Sequence, residues 1–256
     1  MRRRNTAQDQ VKVHALLAFF TVLPTSDSSL EDAARGAYLL PLVGLFTGLP
    51  GAGLLLLAYV VPPGVAATLA LGAVLLAAGL HHTDGVMDVG DALMVRGTPE
   101  RRREVLKDAR VGVGAIGALF IIYAPPLVAL AALAGVSPLR AAAVLFTSEV
   151  AARSAMLLLL VFGKPADEKS SSVHFVRSLK RGSRRGIALV LVLVLPPSIA
   201  LPLGPGALLA TLAVPTTASF ALALSKRAFG GISGDVVGAA GELTRTVLLV
   251  ALSGAL

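Results

Sequence analysis

Long apolar runs, separated by short polar or proline–glycine breaks, dominate the chain. They cover Tyr38–Val61, Val65–Leu80, Val111–Val136, Leu139–Phe162, Ile187–Leu203, Ala207–Leu224 and Val247–Leu256. A helix rising about 1.5 Å per residue needs about 20 residues to cross about 30 Å of hydrocarbon. Most of the runs approach or exceed that length; Val65–Leu80 and Val247–Leu256 are marginal. The breaks are Pro62-Pro63-Gly64, Ser137-Pro138 and Pro202-Leu203-Gly204-Pro205-Gly206, the residue types that punctuate helices. Pro125-Pro126 and Pro215 lie inside runs and predict kinks there. Near the N-terminus, Val11–Leu23 follows a basic head and is short for a span. It reads as an interfacial amphipathic helix rather than a signal peptide, because no small-residue cleavage site follows Phe20 and Pro24 comes soon after. The predicted fold is all-α: one integral-membrane domain over residues 1–256, with about six to seven spans and a short N-terminal helix.

Composition agrees with this pattern. Hydrophobic residues make up 55% of the chain and charged residues only 15%, far from a soluble average. Cysteine is absent, which excludes disulfides, thiolate metal sites and cysteine nucleophiles. The net charge of +8 is explained by loop lysines and arginines and calls for no nucleic-acid partner. One loop carries Arg96, Arg101, Arg102, Arg103, Lys107 and Arg110; another carries Lys164, Lys169, Arg177, Lys180, Arg181, Arg184 and Arg185. Lys226 and Arg227 belong to the same side, whereas the opposite loops carry only Arg140. The positive-inside rule places the basic loops, and every charged cluster with them, on the cytoplasmic face of the cell membrane.

The most informative stretch is Gly79-Leu80-His81-His82-Thr83-Asp84-Gly85-Val86-Met87-Asp88-Val89-Gly90-Asp91. Ionisable groups are costly beside hydrocarbon, so a cluster there points to function. On a helix, His81, Asp84, Asp88 and Asp91 fall at offsets of three, four and three and share an arc of roughly 80°. Carboxylates on one stripe repel and call for a cation; hard oxygen donors suit Mg2+. His81 lies on the aspartate side and His82 is rotated away by about 100°. Either histidine is a candidate base, along with Asp84 and Asp88 as catalytic carboxylates.

Three other constellations carry candidate chemistry. Arg103, Lys107 and Arg110 share a helical stripe beside Asp108, which reads as a phosphate clamp next to a further metal carboxylate or as a basic membrane-surface helix. Glu149 and Arg153, four apart in an apolar run, read as an intramembrane ion pair or, more weakly, as substrate-binding groups. Lys226 and Arg227 lead into the glycine-rich Gly230–Gly241 stretch with Asp235, a turn whose amides can cradle anions. Ser170-Ser171-Ser172 sits in a loop expected to be flexible in part.

Together these blocks resemble the cobalamin synthase family, adenosylcobinamide-GDP ribazoletransferase. Its H-x-D-G-x-x-D-x-x-D run is similar to His82–Asp91, its K-D-x-R-x-G block to Lys107–Gly114, and its G-G-x-x-G-D-x-x-G-A block to Gly230–Ala239. Phe20–Pro24 and Arg35–Gly44 also look like that family, whereas Ala92 stands where it often has glycine. The resemblance implies that a hydroxyl of α-ribazole, or of α-ribazole 5′-phosphate, attacks a phosphate of adenosylcobinamide-GDP and releases GMP. It implies Mg2+ held by Asp84, Asp88, Asp91, Asp108 and Asp235, and phosphates held by Lys107, Arg110, Lys226 and Arg227. Two rivals are weaker. A CDP-alcohol phosphotransferase would carry Ala-Arg where Met87-Asp88 stands, and a divalent-cation transporter would carry polar groups at mid-depth in several spans, where only Glu149 and Arg153 are expected.

Overall fold

The computed structural model describes residues 13–23 and 29–254; the basic head, Val11 and Pro24 lie outside the described residues. A short helix α1 covers residues 13–20 of the predicted Val11–Leu23 element. Then come α2 (Leu30–Gly36), α3 (Leu40–Leu55), α4 (Pro63–Ala77), α5 (His81–Met94), α6 (Pro99–Val105), α7 (Val113–Val136) and α8 (Pro138–Phe162). The chain ends with α9 (Ser172–Leu179), α10 (Arg184–Ala200), α11 (Pro205–Ala210), α12 (Ala213–Phe229) and α13 (Gly234–Ser253). Short 3-10 turns extend α2–α3 into one continuous element, Leu30–Tyr59. Among the described residues there are six helices long and apolar enough to cross a membrane, and α4 with α5 forms a seventh candidate broken by a 92° bend.

Proline and capping residues set many of the helix boundaries. Pro63, Pro99, Pro138 and Pro205 occupy the first turn of α4, α6, α8 and α11, where a missing N–H costs nothing. Ser29, Thr98, Ser137 and Ser233 cap α2, α6, α8 and α13 with side-chain oxygens. Pro215 falls in the first turn of α12 rather than inside a span, so the kink expected there is instead the break between α11 and α12.

The bundle is built around α8. Nearly nine-tenths (89%) of its most apolar window is buried, against 22% for α7 and α10, which turn most of their side chains outward. Small residues make this possible. Gly44 of α3 lies so close to α8 that a Cβ there would stand 2.7 Å from the Glu149 carbonyl oxygen and the Val150 Cα. Close backbone approach through small residues is the usual means of helix association where solvent offers no hydrophobic driving force.

The centre of the bundle holds charge. Glu149, Arg153, Glu242 and Arg245 are all buried to within 1% of complete. Arg245 bonds both Glu149 and Glu242. Arg153 lies 3.4 Å from Glu149, and Thr47 of α3 donates to Glu149 at 2.7 Å. Two carboxylates and two guanidiniums balance. The expectation that only Glu149 and Arg153 lie deep is therefore corrected: α13 contributes a second pair. The last span also begins at Gly234, not at Val247, because the polar positions before Val247 face inward rather than toward lipid. The loop expected to be flexible around Ser170–Ser172 instead leads into α9, whose Val173, Phe175, Val176 and Leu179 are buried.

Removing one member of a buried pair leaves a charge uncompensated, at about 3–5 kcal/mol. Arg245→Leu strands Glu242 and leaves Glu149 with only Arg153 and Thr47, so the purified protein is expected to melt well below the wild type. The check is thermal unfolding in detergent, where an unchanged midpoint would show that the network is not structural.

Candidate functional site

The acidic stretch forms α5, as its spacing predicts. Its start is set by two consecutive residues with left-handed backbone, Gly79 (φ 70°) and Leu80 (φ 59°). Glycine adopts this conformation freely and leucine only at a cost, so the sharp turn from α4 into α5 is a built feature. From there α5 runs against α7 and α13. Thr83 hydrogen-bonds Tyr123 of α7 at 2.9 Å. Gly85 lets α13 approach until a Cβ would stand 2.9 Å from the Asp235 Cα, and Gly238 receives His82 in the same way.

α13 is similarly patterned. Asp235, Gly238, Glu242 and Arg245 recur at offsets of three, four and three, so one stripe faces the interior from the charged end to the bundle centre. The inward orientation of Glu242 thereby brings Asp235 to α5. Asp88 feels the charges of Asp84, Asp235 and Asp91. These four carboxylates form the candidate site, whereas Asp108 lies in the segment between α6 and α7.

Within the set the residues differ. Asp84 is exposed and Asp88 half-buried, and neither pairs with a cation among the described residues. Asp91 accepts the Gly112 amide at 2.7 Å and the Ala115 amide at 2.9 Å, so it anchors the start of α7. Asp108 is engaged by Arg110, whose side-chain and backbone hydrogen bonds hold its carboxyl down to about 2. Arg110 itself is largely exposed. Lys107 pairs with Asp167 at 2.9 Å. Lys226 and Arg227 are exposed in the last turn of α12, where they complement the negative helix end. Glu149 and Arg153 are enclosed in the bundle centre, so a substrate would have to part packed helices to touch them. The donor set of α5 and Asp235 is oxygen-only and anionic, which fits a hard cation. Among the described residues, however, no three His, Asp or Glu side chains already converge on one metal position.

The histidines separate as helical geometry predicts. His81 is exposed on the aspartate side. His82 is buried, beside Phe20 and with Nδ1 at 3.7 Å from a Glu242 oxygen. A cavity of about 1110 Å3 opens beside this site, between α5, α7, α12 and α13. Val89, Leu93, Ile121, Phe220 and Leu224 line its body, and Asp91, Asp108 and Arg110 are its charged members. It exceeds the about 300–1,000 Å3 of ordinary small-molecule pockets.

Sequence reasoning missed Arg245 as a partner of Glu149, and Glu242 as the second carboxylate that Arg245 holds; their i,i+3 spacing in phase with Asp235 was the available signal. It also missed that residues 164–172 join the Gly230–Asp235 turn. No local pattern announces that contact.

Residues 12–253 match the family described as cobalamin-5-phosphate synthase. Among similar proteins, the adenosylcobinamide-GDP ribazoletransferase of Methanocella arvoryzae is 33% identical, with 93% of each chain covered. The protein of that name from Saccharolobus islandicus is 34% identical over 93% of this chain and 89% of its own. The one from Halorubrum lacusprofundi is 36% identical over 91% of this chain and 93% of its own. No solved structure matches. With a match spanning nearly the whole described bundle and the acidic face, the chain belongs to the cobalamin-5-phosphate synthase family.

Proposed function

We propose that this protein joins α-ribazole, or α-ribazole 5′-phosphate, to adenosylcobinamide-GDP with release of GMP, as a multi-pass protein of the cell membrane. The observation that carries this reading is the set of carboxylates Asp84, Asp88, Asp91 and Asp235, without a cation partner at Asp84 and Asp88 among the described residues, beside a large apolar cavity, in a member of this family. The apolar walls suit the bulky corrinoid half, and the basic loops at the same end favour a cytoplasmic site open to soluble nucleotide-linked substrates.

In the reaction, the acceptor hydroxyl oxygen bonds to the cobinamide-linked phosphorus. The phosphoanhydride P–O bond breaks, and GMP leaves with the bridging oxygen and its electron pair. Such transfers need positioning and charge neutralisation more than covalent chemistry. Mg2+, when bound, would supply that neutralisation. Asp84, Asp88 and Asp235 would hold it, with side-chain rotation closing the set, and Asp91 would contribute any lone pairs its α7 amides leave free. Asp108 is the weaker candidate because Arg110 occupies it. Lys107 is the phosphate-binding candidate that lines a cavity together with Asp235; Arg110, Lys226 and Arg227 attract anions toward the entrance. His81, on the aspartate side, takes the hydroxyl proton on an imidazole nitrogen. His82 wedges α5 against α13.

Purified protein with adenosylcobinamide-GDP, α-ribazole and Mg2+ is expected to release GMP and form the joined corrinoid. Asp84→Asn and Asp88→Asn are each expected to lower kcat by about 100-fold or more, as loss of charge stabilisation does. Both variants should insert and melt normally; near-normal turnover in both would sink the carboxylate assignment. His81→Ala is expected to lose about 10²–10⁴-fold in kcat at unchanged thermal stability. His82→Ala should instead lower the melting temperature. The reverse pattern would make His82 the proton acceptor.

A further inference from the structure

A second, smaller cavity lies at the same end of the bundle, at the start of α13. It holds about 220 Å3 and is lined by Arg103, Lys107, Lys169, Ser170, Ser171 and Ser233, together with Asp167 and Asp235. A single water needs only about 10–15 Å3, so this is room for a polyatomic group.

Three segments remote in sequence are tied together to make it. Ile232 donates to the Lys164 carbonyl at 2.8 Å and accepts from the Ala166 amide at 2.9 Å, a one-residue parallel bridge. Ser172 adds a bond to the Ile232 carbonyl at 3.3 Å. Gly231 makes the contact possible, since a Cβ there would stand 2.4 Å from the Lys164 oxygen. From the other side, Arg103 donates to the Phe229 carbonyl at 2.7 Å and holds α6 over the turn. The twenty-residue α13 begins here with its Ser233 cap, adding the positive end of a long helix.

The lining is built for an anion. Three cations face two carboxylates. One of these, Asp167, already sits where an anion would: it accepts from the Lys107 ammonium at 2.9 Å and from the Lys169 amide at 3.0 Å. Those two contacts, the amide first, hold its carboxyl below the usual carboxylate range. Lys169 forms no salt bridge and the Ser171 hydroxyl no hydrogen bond among the described residues, so both remain available. Charge-assisted contacts from lysine, arginine, serine hydroxyls and a helix start are the usual means of holding a phosphate.

We propose that this cavity is a phosphomonoester subsite, in which a terminal phosphate displaces the Asp167 carboxylate from Lys107 and is completed by Lys169 and Ser171. The proposal rests on the transferase reading for the source of the phosphate, which is either the departing GMP or the 5′-phosphate of the acceptor. Asp235 is shared by this cavity and the carboxylate face, which puts the subsite next to the phosphoanhydride that breaks.

The test is binding of GMP and of α-ribazole 5′-phosphate to the purified full-length protein, by calorimetry without turnover, with corrinoid formation assayed separately. Lys169→Ala and Ser171→Ala should weaken one of the two ligands by about tenfold, the scale of one charge-assisted hydrogen bond. Asp167→Asn should tighten the same ligand several-fold, because it removes the competing carboxylate. A folding defect would not move these variants in opposite directions. Response of GMP assigns the subsite to the leaving group. Response of α-ribazole 5′-phosphate assigns it to the acceptor and should erase the KM difference between phosphorylated and unphosphorylated acceptors in Lys169→Ala. If neither ligand binds, or all three variants bind both like the wild type, the proposal is overturned, even where turnover is intact. If the binding pattern holds and no corrinoid product forms, the transferase reading fails and the phosphate site stands.

Discussion

Two glutamates and two arginines, Glu149, Arg153, Glu242 and Arg245, shut away from solvent with Thr47, fix how α3, α8 and α13 meet. Burying four charges is expensive, and it is tolerated only when each finds its counterpart in good geometry. This makes the contact intolerant of slippage: one residue of rotation about α13 would turn Glu242 and Arg245 by about 100°. Because Asp235 stands seven residues before Glu242, about two helical turns, the same constraint aims Asp235 at α5. The acidic face is thus oriented by ion pairs about 10 Å deeper in the bundle.

The candidate site divides its carboxylates between structure and chemistry. Asp91 spends both oxygens on α7 amides, and Asp108 is clasped by Arg110. Asp84 and Asp88 have no such obligation. Residues of one type, spaced alike along one stripe, therefore have different freedom to respond to a ligand, and the difference arises from what the neighbouring helix ends present.

Much of this was legible beforehand, for identifiable reasons. The spans follow from runs of apolar residues that have no other stable place, and the stripe of His81, Asp84, Asp88 and Asp91 follows from helical periodicity. The start of α13 was misjudged because Glu242 and Arg245 depress local hydropathy, although their charges are neutralised by partners on another helix. α9 went unseen although Phe175, Val176 and Leu179 keep helical spacing, because eight residues inside a basic loop fall short of the window over which that spacing is read. The anchoring of Asp91 depends on amides twenty-one and twenty-four residues away, and the bridge between Pro165 and Ile232 on a contact sixty-seven residues long, neither of which has any local trace. Local pattern identifies what a residue can do; partners brought by the fold decide what it is free to do.

The break at Gly79 and Leu80 has a consequence for biogenesis. α4, with fifteen residues, reaches only about 22 Å, and α5 carries three carboxylates and lies against α7 and α13. Neither half is a self-sufficient membrane segment during synthesis. α5 acquires these neighbours only when α13 arrives, about 140 residues later, so a ribosome that stops before α13 leaves behind a bundle without a site.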